Sequence, residues 1–204
     1  KEGEGTELVY NYTLSQGGDY HFQFVAQAGE DKSTADAFTC VASVPELEAR
    51  PAGVDMGIYY DANDPTKVTL CTYAASKLAA AKHVFVVGDF NNWQISEEYQ
   101  LKQDGNYFWI ELMGLTPQKE YAMQYVVVRS DGVVKRISDL FSEKVVHSDD
   151  QWEPMTVDPT LMPYPQEADG YATVIQTGKP AFQWSDATLN FKRPNKNNLV
   201  IYEL

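Results

Sequence analysis

The chain has 204 residues, with 16 Lys plus Arg against 29 Asp plus Glu and a formal net charge of −13. That balance repels a phosphate backbone and an anionic lipid surface, which excludes the usual nucleic-acid footprint and an electrostatic membrane anchor. Hydrophobic residues make up 44% of the chain, enough for a core, and no apolar run approaches the ~18 residues of a membrane span. Position 1 is Lys, and no charged-then-apolar leader opens the sequence. Any targeting segment is therefore expected upstream or already removed.

The first elements read as strands. Glu7–Leu14 is rich in strand formers, and Ser15-Gln16-Gly17-Gly18-Asp19 is a turn cluster. Tyr20–Ala26 alternates, with Tyr20, Phe22, Phe24 and Ala26 on one face. A turn at Ala28–Lys32 leads to a third strand, Ala37–Ala42. Three strands make a poor core alone. The run from Leu14 through Tyr20 to Ala26 resembles the closing strands of an immunoglobulin-like sandwich, so residues 1–44 are expected to be part of such a domain. Ser43–Val54 carries Pro45, Pro51 and Gly53; residues 45–54 read as a linker.

A second strand series follows: Met56–Tyr60, Lys67–Ala74, His83–Gly88, Tyr107–Leu112, Tyr121–Arg129 and Val133–Ile137. Asn63-Asp64-Pro65, Asp104-Gly105-Asn106, Thr116-Pro117 and Ser130-Asp131-Gly132 separate them. Asp-Gly between strands is a hairpin signal. The Ala-rich stretch Ala74–Lys82 reads as a helical turn or a loop. Residues 55–147 are expected to form an antiparallel sandwich. Residues 148–204 contain six prolines and read as an extended connector. It ends in Asn198–Leu204, an apolar run suited to a buried parallel strand. The class is therefore all-β, in tandem sandwiches with a Pro-rich C-terminal segment, and the chain is expected to be a piece of a longer protein.

His83–Trp93 combines a strand with a polar-aromatic corner, Gly88-Asp89-Phe90-Asn91-Asn92-Trp93. Gly88 permits close backbone approach, and Asn91 and Asn92 suit caps or left-handed turns. With the downstream Asp131-Gly132 hairpin, this series resembles carbohydrate-binding module family 48, the early-set domain of starch and glycogen enzymes, over about residues 55–147. The resemblance implies that Trp93 stacks on a glucose ring, with Asn91 and Asn92 beside it. An indole is a flat apolar partner for sugar C–H groups. Trp93 has a second reading, as a corner residue packed on a neighbouring domain, and Trp109 reads as packing. Binding members carry a second tryptophan where this chain has Val133 and Val134, and a lysine where it has Gln124. The resemblance therefore implies α-glucan contact that is weak or absent.

Asp139–Val146, Tyr171–Gly178, Phe182-Gln183-Trp184 and Leu199–Leu204 resemble the approach to the first barrel strand of α-amylase-family enzymes. The arrangement is similar to secreted or surface amylases of gut-type bacteria. It implies a (β/α)₈ barrel of the same polypeptide as partner, an extracellular or cell-surface setting, and paired catalytic carboxylates in that barrel. None of the acids in this chain is expected to be catalytic, and no cofactor is expected. His21, His83 and His147 are too widely spaced to read as a zinc set. Asp61-Ala62-Asn63-Asp64 and Ser148-Asp149-Asp150 read as solvated turns rather than calcium loops. Cys40 and Cys71 read as two strand thiols or one bridge. The competing function is a surface adhesion or scaffold array of β-sandwiches with no carbohydrate role.

Overall fold

The structure, a computed structural model, describes residues 11–13, 18–41, 43–75, 77, 79–151, 160–193, 195, 197 and 200. The strand expected at 7–14 falls largely outside these residues, and so, apart from Val200, does the barrel strand expected at 199–204. The described chain is nearly all β: three sheets, one α-helix of four residues and two short 3₁₀ turns.

The first sheet is a hairpin. β1 (Gly18–Ala28) and β2 (Asp31–Val41) pair antiparallel in one continuous register around Gly29-Glu30. Gly29 has φ +63°, the left-handed geometry that lets so short a connection close. Tyr20 and Phe22 stack at 6.3 Å, and Tyr12 meets Phe22 edge-on at 5.8 Å.

The other two sheets form a sandwich. One contains β3 (Gly57–Tyr60), β4 (Val68–Tyr73), β6 (Lys102–Asp104) and β7 (Tyr107–Leu112), in the order β3-β4-β7-β6. The facing sheet contains β5 (Ala81–Gly88), β8 (Tyr121–Arg129), β9 (Val134–Ile137), β10 (Val145–Val146) and β11 (Ala172–Ile175). Its path is β10-β11-β8-β5, with β9 also paired to β8. Every strand pair is antiparallel. Six strands thus stand at the expected places. The Ala-rich stretch is a loop rather than a helical turn where it is described, running directly into β5. The strands β6, β10 and β11 went unforeseen, and β11 comes from within the stretch read as connector.

Alternation explains the layers. Val68, Leu70, Phe108 and Ile110 from one sheet meet Val84, Val86, Met123 and Tyr125 from the other in the main core. The opposite parity of the second sheet, Phe85, Val87, Ala122 and Val126, builds a second cluster with Trp93, Val146, Ala172 and Val174. Leu161, Met162 and Tyr164 pack on that outer cluster. β8 is consequently buried on both faces along seven of its nine residues, which explains its nearly unbroken apolar sequence.

The stretch read as a linker lies along β6, at the edge of the β3-β4-β7-β6 sheet. Gln103 N–H donates to Glu46 O at 2.8 Å, and Glu48 N–H donates to Gln103 O at 3.1 Å. Trp109 Nε1 donates to Glu48 O at 3.0 Å, so that indole is buried beneath the stretch. Among the described residues Cys71 is a free buried thiol, and burial pushes its pKa up to about 11. Such a thiol is a poor nucleophile.

A buried carboxylate locks the β9–β10 connection to the core. Tyr125 Oη donates to Asp139 Oδ2 at 2.8 Å, Phe141 N–H donates to Oδ1 at 2.7 Å, and Asp139 N–H donates to Thr173 Oγ1 at 2.7 Å. Burial raises the Asp139 pKa above its ordinary 3.8, against the pull of the Phe141 and Tyr125 hydrogen bonds. The native state therefore holds this proton at a pH where the unfolded chain has lost it. Linkage then makes the Asp139 contribution to stability greatest below the unfolded value, declining as pH rises through the raised native value and level above it. Asp139→Asn should flatten that part of the curve. Urea midpoints of both proteins from pH 3 upward check this, because the other carboxylates cancel in the difference. A constant gap between the two curves would show that Asp139 titrates alike folded and unfolded.

Candidate functional site

The corner after β5 is built by hydrogen bonds that run inward. Asn91 N–H and Trp93 N–H both donate to Gly88 O, at 3.1 and 3.0 Å. Asn91 uses its whole amide: Oδ1 accepts from Gly88 N–H at 2.9 Å, and Nδ2 donates to Val86 O and Gln94 O at 3.1 Å each. Asp89 ties the corner to β8. Its Oδ1 accepts from Trp93 Nε1 at 2.9 Å and its Oδ2 accepts from Ala122 N–H at 2.8 Å.

Asn92 and Trp93 are consecutive left-handed residues, at φ 53° and 60°. Asn tolerates this geometry, whereas a bulky aromatic residue adopts it only where its surroundings hold it there. Here the buried ring and the Asp89 bond do so. Trp93 is 7% exposed, and Phe90, half-buried, lies 5.5 Å from Tyr99. Gly88 is dictated by space. A Cβ there would stand 2.4 Å from Ala122 O, 2.9 Å from a Phe90 ring carbon and 3.0 Å from Met123 Cβ.

The structure brings Trp93, Asn91 and Asn92 together at one corner. Of the three only Asn92 is exposed; Asn91 is half-buried and the indole is packed. The chain's own C-terminal stretch helps cover that face. Gln124 is fully buried, its Nε2 donating to Asp169 O at 2.6 Å and Tyr171 O at 2.8 Å. Its Oε1 accepts from Asp169 N–H at 3.1 Å. This clasp was not legible from the sequence, because it joins residues from two elements whose pairing has no local signature. Val133 and Val134, at the Asp131-Gly132 turn, are exposed.

Two open grooves lie on the other side of the corner and share Glu98, Glu111 and Met113. The larger, about 670 Å³, has Phe90, Tyr99 and Tyr121 among its lining residues and Lys119 at its side. The smaller, about 430 Å³, runs between Glu46, Gln100 and Lys102. Lys102 pairs with Glu48 at 2.5 Å and sits 5.0 Å from the Trp109 ring centroid. Among the described residues no group of three or more His, Cys, Asp or Glu is placed to hold a metal ion. The Asp61–Asp64 turn spends its carboxylates locally: Asp61 Oδ1 accepts from Asn63 and Asp64 N–H, and Asp64 Oδ1 accepts from Thr66. No helix among the described residues is long and apolar enough to cross a membrane.

Residues 55–142 match a family model described as carbohydrate-binding module 48 (isoamylase N-terminal domain). The match runs from just before β3 to the Asp139 clamp, and over it the chain is similar to a non-catalytic module that binds carbohydrate. No curated protein matches the chain.

Proposed function

We propose that this chain is a non-catalytic, N-terminal region of an α-glucan hydrolase, acting on starch, glycogen or pullulan outside the cell or at its surface. Its sandwich supports the catalytic domain and contacts glucan weakly. The observation that carries this reading is the match of residues 55–142 to a module whose description names the N-terminal domain of isoamylase. Support also comes from the exposed apolar residues that follow the sandwich. Phe182 and Trp184 meet edge-on at 4.9 Å, and Leu189, the last residue of the short helix α1 (Asp186–Leu189), stands open with Phe191 just after it. Such a surface suits packing on a neighbouring domain. The buried indole of Trp93 and the fully used amide of Asn91 favour a structural role for that corner.

The test is hydrolysis by the whole gene product that carries this chain. Release of reducing sugar from starch, glycogen or pullulan is expected. No turnover of any α-glucan, with further β-sandwiches in place of a barrel, would overturn the reading in favour of a surface scaffold.

A further inference from the structure

The outer face of the β3-β4-β7-β6 sheet, on the side of the sandwich away from Trp93, carries a second polar-aromatic cluster. Tyr73 and Tyr107 are direct cross-strand partners on β4 and β7. Their rings stand 5.0 Å apart at 68°, and Tyr73 is 44% exposed. The Arg50 guanidinium lies 3.5 Å from the Tyr107 ring centroid. Asp104, opposite Tyr107 on β6, faces Arg50 at 3.6 Å and accepts its backbone N–H at 3.4 Å. Asn106, in the hairpin turn, brings Nδ2 to 3.5 Å from the Tyr73 hydroxyl.

These groups complement a pyranose. The exposed Tyr73 ring takes the apolar C–H face, while Tyr107, one face covered by Arg50, braces it; a guanidinium donates, a carboxylate accepts, and an amide does both. The charges of Arg50 and Asp104 cancel, so within a molecule of net charge −13 this spot favours a neutral ligand over an ion. Both tyrosines stand on paired strands and Arg50 is held between Tyr107 and Asp104, so little ordering is required on binding. We propose that Tyr73, Tyr107, Arg50, Asp104 and Asn106 form an open platform for a neutral glucan chain. The platform rests on the proposed role in α-glucan degradation.

Titration of the isotope-labelled chain with maltoheptaose, followed by amide chemical shifts, tests it. Saturable shifts are expected at Arg50, Tyr73 and residues 104–107. Tyr73→Ala should weaken binding about tenfold, the loss of one good aromatic contact. Tyr73→Phe should retain most of it, and both variants should keep the wild-type thermal midpoint within a few degrees, since the side chain is half outside. Shifts confined to residues 89–94 or 169–172, or shifts that survive Tyr73→Ala, would overturn the platform. A platform that fails while the gene product still hydrolyses starch leaves the proposed function standing; a platform that binds in a protein without hydrolysis sinks that function alone.

Discussion

Trp93→Ala should destabilise the sandwich by about 3–5 kcal/mol, the range for deleting a large buried aromatic side chain. The indole sits among Phe85, Val87, Ala122 and Val126. Its removal leaves a void between the sheet and the C-terminal stretch, and it frees Asp89 Oδ1 from its only indole donor. The backbone at this position is left-handed, so alanine inherits the strain without the packing that sustains it. Trp93→Phe should cost less, since it keeps most of the burial and loses the N–H. Urea unfolding of the three proteins measures both effects. A loss below about 1 kcal/mol for the alanine variant would mean that the ring is a surface residue after all.

Gly88→Ala should cost about 2–3 kcal/mol, the upper part of the overpacking range. The nearest obstacle is Ala122 O, a backbone atom that already accepts from Asp89 N–H at 3.0 Å. It has no rotamer to change, so relief requires β5 and β8 to part where the corner begins. Gly105→Ala provides the contrast. Nothing lies within 4 Å of its Cβ position, and only its φ of +62° opposes the change, at about 1 kcal/mol. Thermal midpoints of the two variants should therefore differ by several degrees. Equal midpoints would show that the β5–β8 approach is looser than 2.4 Å implies.

Strands long enough to show a period, or bounded by strong turns, are legible in the amino-acid order. Tyr107–Leu112 and Tyr121–Arg129 stand where alternation, Asp-Gly and Thr-Pro place them. Lys102–Asp104 and Val145–Val146 are too short to have a period. Ala172–Ile175 is β-rich, but it follows a Pro-rich tract, and its partner lies far back at Tyr121–Met123. Pro45 and Pro51 mark an irregular path correctly, yet say nothing of the sheet edge that path follows. At the corner, Gly88 and the two asparagines announce a tight turn. Nothing local announces that the next residue is also left-handed, because Asp89 and the covering stretch impose that geometry. The tyrosine pair on the outer sheet face follows from strand parity alone; its Arg50 cap does not, since that residue arrives from outside the strands.

The pairing of β8 carries a temporal implication. One edge of this strand is shared, its beginning taken by β11 and its later part by β9. During synthesis the beginning stays unpaired until Ala172–Ile175 has left the ribosome, and an open apolar edge invites association with other chains. A version cut after residue 147 would keep that edge permanently bare.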